Sequence, residues 1–111
     1  PKGLVVYTLS LDAAARVCRL CQGVPLALKS QQDQGVRAVA RVPLAIAEGQ
    51  GRVGRDATHL YRIAYSSCRE TTAVVELLLA LDAVDRSEGM ALVEVLDRVQ
   101  AMLWGLMRRV A

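Results

Sequence analysis

The chain has 111 residues, 53% hydrophobic but only 4% aromatic and with no Phe, which fits a single domain over residues 1–111 whose core of Leu, Val, Ala and Ile favours helix packed on helix over a sandwich or barrel. Its net charge of +3 is uneven: residues 1–55 carry 8 Lys/Arg against 3 Asp/Glu, and residues 56–111 carry 6 against 8. The front half can therefore meet phosphate, although the dense basic run of a strong nucleic-acid binder is missing, and no stretch reaches the roughly 18 uncharged apolar residues of a bilayer span.

The first predicted helix starts near Leu4 or Ser10 and ends at Gln22. Leu11, Ala14, Cys18 and Cys21 recur at spacings of three and four, and Gly23 with Pro25 stops it. Ser30 or Asp33 can cap a second helix carrying Val36, Val39 or Ala40, Pro43, and Ile46 or Ala47 on one side and ending at Gly49. Pro43 within that pattern predicts a kink, or a helix start just before it.

A third helix, capped by Asp56 or a neighbour, has two parallel stripes. Leu60, Ala64, Ser67, Thr71, Val74, Leu78 and Leu81 form one, and Tyr61, Tyr65, Cys68, Thr72, Val75 and Leu79 the other. At about 100° per residue the combined arc approaches about 200°, roughly twice what a surface helix needs. Either neighbouring helices of the same chain bury it, or part of it meets another subunit; on the second reading Tyr61, Tyr65, Cys68, Val75 and Leu79 form an oligomer interface. Ser87 starts the fourth helix, with Leu92, Leu96, Val99, Leu103, Leu106 and Val110 as its seam and Arg108 and Arg109 at its negative C-terminal pole. Short connections make consecutive helices antiparallel, so the predicted fold is all-α, an up-and-down four-helix bundle.

Candidate chemistry is sparse. Gly49, Gly51 and Gly54 spell G-x-G-x-x-G, but a dinucleotide site also needs a preceding strand and a parallel sheet. A hinge reads better, with Gly49 ending the second helix in the left-handed conformation and Gly51 and Gly54 turning the chain. Cys18, Cys21, Cys68 and His59 include the donors of a Cys₃His zinc site, yet His59 and Cys68 lie about 13.5 Å apart along one helix axis and on opposite faces. The three cysteines read as free thiols, two of them small buried hydrophobes, in a reducing cytoplasm. No paired carboxylates or activated nucleophile are recognisable, so neither catalytic residues nor a cofactor are expected. Met102, Trp104 and Met107 read as packing residues. The start, Pro1-Lys2-Gly3, has neither an initiator Met nor a signal-peptide pattern, so it reads as trimmed.

The arginines are more informative. Arg55, Arg62 and Arg69 recur every seven residues on one line of the third helix, Arg37 and Arg41 are an i,i+4 pair on the second, and Arg52 sits in the hinge. They form either a solvated face or, pooled between subunits, a phosphate-binding surface for nucleic acid recognised by shape.

"VPLAIAEGQGR" followed by "LYRIAYSSCRE" resembles the bacterial four helix bundle family first associated with intervening sequences in 23S ribosomal RNA genes. The resemblance rests on Arg37, Ala38, Pro43, Ile46, Ala47, Glu48, Gly49, Gly51 and Arg52, then Tyr61, Ile63, Ala64, Ser67 and Glu70. Weaker echoes are Leu4 to Tyr7 and Val24-Pro25. Arg41 stands where the family has Ser, Ala45 where it has Asn and Ser66 where it has Gly, and the family's usual Phe residues are missing, so a contact made by that Asn is not carried over. The family is similar to the accessory protein of diversity-generating retroelements, a basic homopentamer that binds nucleic acid and a reverse transcriptase. The resemblance thus implies a ring-like homo-oligomer, a pentamer, with RNA or another nucleic acid and a protein such as a reverse transcriptase as partners, and implies no enzymatic activity or cofactor. The reading that follows is a non-enzymatic bundle contacting structured RNA through Arg37, Arg41, Arg52, Arg55, Arg62 and Arg69; the alternative is a protein–protein scaffold that binds no nucleic acid.

Overall fold

The computed structural model describes residues 2–110, which form four α-helices: α1 (Lys2–Cys21), α2 (Lys29–Gln50), α3 (Gly54–Ala80) and α4 (Arg86–Val110). A short 3₁₀ turn, Leu26–Leu28, precedes α2, and no strand occurs among the described residues. Each helix packs against its chain neighbours and α1 closes on α4, an antiparallel bundle measuring 43 × 22 × 18 Å. Its length is that of the longest helix, since 27 residues at about 1.5 Å each span roughly 40 Å.

Helix α1 buries Val6, Ser10, Ala13, Val17 and Cys21, a stripe that keeps Cys21 of the expected set and is otherwise displaced from it. Leu11, an expected seam residue, is 45% exposed, and Ala14 and Cys18 are half-buried. The four-three spacing fits either stripe; only the neighbouring helices decide which one turns inward. Neither Ser30 nor Asp33 caps α2. Leu28 holds the N-cap without a side-chain bond, and Asp33 pairs with Lys29 at 3.3 Å one turn earlier. Nor does the helix restart at Pro43: it runs through, with the ring buried, leaving the Val39 carbonyl without its usual intrahelical donor.

The wide arc of α3 is covered within the chain. Ala57, Tyr61, Ala64, Ser67, Cys68, Thr71, Val74, Val75 and Leu78 are buried because α2 and α4 flank the helix on both sides. Leu81, at the C-cap, is 51% exposed. Asp56 lies in the first turn but caps nothing; Val53 is the N-cap, with no side-chain bond. At the other end, Ala83 N–H donates to the Leu78 carbonyl at 2.9 Å and Asp82 N–H to Leu79 at 3.1 Å. This is the double closure of a left-handed C-terminal cap, and Asp82 adopts it with φ 54°.

Helix α4 is capped by Asp85, not started by Ser87: the Asp85 carboxylate accepts the Glu88 N–H at 2.9 Å. It buries Leu92, Leu96, Val99, Leu103 and Met107, with Gly89 pressed against Leu79. Leu106 and Val110, assigned to the seam, are only half-buried.

Candidate nucleic-acid interface

Gln34 and Arg41, seven residues apart on α2, both reach across to α3. Gln34 Nε2 donates to Glu70 Oε2 at 3.2 Å, Arg41 Nη2 to Glu70 Oε1 at 3.0 Å, and Arg41 Nε to the Ser67 hydroxyl at 3.2 Å. The carboxylate thereby fixes a guanidinium at the edge of an open pocket of about 380 Å³, lined by Arg41, His59, Arg62, Ile63, Ser66, Ser67 and Glu70. Its single carboxylate is already occupied by Arg41. The remaining charge in the pocket, Arg62, forms no salt bridge among the described residues.

All six expected arginines are exposed, but they do not form one patch. Arg37 lies between Gln34 and Arg41 on the same strip of α2. Arg55, Arg62 and Arg69 follow the outward line of α3, opposite its buried stripe, and Arg52 with Arg55 brackets the α2–α3 turn. Arg69 diverges: its groove is shared with Glu76 and Asp97, so its charge is locally balanced. The structure adds Arg108. The antiparallel return of α4 brings it beside Arg62, with Thr58, Trp104 and Met107, around a pocket of about 190 Å³. Arg108 lies 46 positions from Arg62; no local pattern links them, and its place in the last turn of α4 already accounted for it. His59 also lines the α2–α3 pocket.

Of the five residues assigned to an oligomer interface, Tyr61, Cys68 and Val75 are buried in the chain's own core, while Tyr65 and Leu79 are half-buried against it. The assignment of Tyr61, Cys68 and Val75 is therefore corrected: they present no surface to a second copy. The Cys68 thiol donates to the Leu96 carbonyl at 3.4 Å, and burial pushes its pKa up to about 12. Cys21 is buried and likewise raised, while Cys18 is half-buried.

The glycine motif forms the α2–α3 turn, with roles different from those expected. Gly49 is inside α2 and buried, Gly51 caps it with φ −89°, and only Gly54 among the described glycines has positive φ, 58°. Gly49 serves close packing: a Cβ there would stand 2.6 Å from Tyr61 Cε1.

No curated protein matches this chain. Among solved structures, it is similar to a protein of unknown function from the S23 ribosomal protein family of Bacteroides thetaiotaomicron VPI-5482. The TM-score is 0.87 at 22% identity, covering 97% of this chain and 99% of that one. At that identity the likeness establishes the fold, a helical bundle matched along its whole length. The family model described as 23S rRNA-intervening sequence protein matches residues 2–105. On that match, which takes in the Gly49–Tyr61 contact, the Arg41–Glu70 bridge and most of α4, the chain belongs to the 23S rRNA-intervening sequence protein family.

Proposed function

We propose that this protein is a non-enzymatic bundle that assembles with copies of itself and contacts structured RNA through the arginines near its α2–α3 turn. The observation that carries the reading is that Arg62, which forms no salt bridge among the described residues, shares one open pocket with His59 and the Glu70-bound Arg41, with Arg52 and Arg55 at the adjoining turn and Arg108 on the other side of Arg62. A family named for 23S rRNA supports RNA as the polyanion. Guanidinium groups pooled on a rigid surface bind phosphate by counterion release and read shape before sequence.

Support for self-association comes from α1 instead of α3. Leu4 and Leu11, seven residues apart, are 57% and 45% exposed, and Val5 opens onto a mainly apolar groove with Ala101, Met102, Gly105 and Leu106, edged by Arg109. Five copies is the number that family resemblance implies. The same groove favours the second reading, a scaffold that recruits protein alone.

Retention of a hairpin RNA at graded salt, with the native mass measured in parallel, tests the proposal. Arg55→Glu with Arg62→Glu should weaken retention at least tenfold and reduce the salt slope by about two, whereas Arg86→Glu at the opposite end should leave both unchanged. RNA retention indifferent to salt and to the double reversal overturns the RNA reading, a monomeric mass overturns assembly, and partner capture insensitive to nuclease favours the scaffold.

A further inference from the structure

Trp104 is the chain's only tryptophan, and α4 leaves it 55% exposed although it was expected to pack. Two pockets meet at it. One, about 190 Å³, is lined by Thr58, Arg62, Trp104, Met107 and Arg108; the other, about 380 Å³, by Tyr65, Gln100, Ala101 and Trp104. Among the described residues neither lining contains a carboxylate. The Tyr65 ring packs obliquely beside the indole, its centroid 6.0 Å away and tilted by 50°. An exposed indole thus stands between two guanidinium groups on one side and an amide on the other.

We infer that Trp104 is a stacking platform for an unpaired RNA base, with Arg62 and Arg108 holding the adjacent phosphate and the Gln100 amide within reach of the base edge. This rests on the RNA reading above and extends it from duplex shape to a single-stranded nucleotide. Every base has a π-face, so the platform is tolerant of sequence, and the arginines supply the charge complementarity that a protein ligand would not require. The surface lies on the α3 flank of α4 and borders the groove that α4 shares with α1, Ala101 lining both.

Because Trp104 emission has no competing tryptophan, it reports on the site directly. The full chain is titrated at low salt with a short oligoadenylate and with an abasic oligomer of equal length and charge, and hairpin RNA retention is measured alongside. Oligoadenylate should quench the emission and the abasic strand should not. Trp104→Ala should weaken oligoadenylate binding by about fivefold to a hundredfold without lowering the melting temperature, and Trp104→Phe should recover part of the loss. If the hairpin binds but oligoadenylate does not, or binds equally well to Trp104→Ala, the platform is wrong and the arginine surface stands. If no RNA of either kind binds, both readings fall.

Discussion

Gly49 and Tyr61 are in contact across the α2–α3 turn, the phenol ring filling the space where any other residue at position 49 would carry its Cβ, 2.6 Å from Cε1. Tyr61 is 5% exposed and belongs to the core. The ring can occupy that place only while residue 49 has no side chain.

Gly49→Ala should therefore destabilise the fold by about 1–3 kcal/mol, overpacking outweighing the roughly 1 kcal/mol that Ala gains in helix propensity. Gly105→Ala, on an open stretch of α4 with nothing within 4 Å of the new Cβ, should stabilise by about 0.5–1 kcal/mol. Urea denaturation of the two variants separates the effects; equal changes would show that packing at Tyr61 is slack.

Asp82 sits at φ 54° in the cap that ends α3, a conformation that is unfavourable for a residue with a Cβ. Asp82→Gly keeps the two closing hydrogen bonds and should raise stability by about 0.5–1 kcal/mol. A lower melting temperature would mean that the carboxylate contributes more than the strain costs.

Arg16 on α1 and Glu88 on α4 form a two-pronged bridge, Nη2 to Oε1 at 2.8 Å and Nε to Oε2 at 3.1 Å. The guanidinium holds the Glu88 carboxyl below the usual carboxylate range. A lowered folded-state pKa contributes stability that is complete above the unfolded value and is lost as pH falls through the folded one. Both groups are partly exposed, so screening limits the bridge to about 0.5–1 kcal/mol. A double-mutant cycle with Arg16→Met and Glu88→Gln should give that coupling at neutral pH and nearly none well below the carboxylate range; a coupling unchanged by acid would contradict this assignment.

The three thiols should differ in access. Cys18, half-buried, is expected to react with a small aromatic disulfide reagent in the native state, while Cys21 and Cys68 wait for unfolding. Burial raises both inner thiols and keeps them protonated. Three equally fast native thiols would mean that the α1 and α3 seams open readily.

How far the sequence reaches can be seen in α3 and α1. In α3 the stripe from Ala64 to Leu78 emerges where the four-three spacing puts it, because nine buried positions over-determine which face turns inward. In α1 the same rule selects Leu11 and fails, since apolar residues around the helix offer two stripes and the choice belongs to α2 and α4. Local side-chain chemistry also misleads: Ser30, Asp33 and Asp56 have capping side chains, but Leu28 and Val53 occupy the cap positions. At the candidate interface, the outward line of Arg55, Arg62 and Arg69 was legible from heptad spacing. The acidic surroundings of Arg69 and the approach of Arg108 and Trp104 to Arg62 were not.

Periodicity, punctuation and the family motif by themselves determined a four-helix chain, its antiparallel order and the helix that carries the arginine line, because a hydrophobic repeat is a property of one helix and needs no partner to be read. Which stripe of α1 is core, why residue 49 must be glycine, and which charges are paired or pooled were decided only by tertiary structure. Those depend on contacts such as Gly49 with Tyr61 and Arg16 with Glu88, and on the shared pocket of Arg62 and Arg108, where separate segments converge in space and local spacing carries no information about distance.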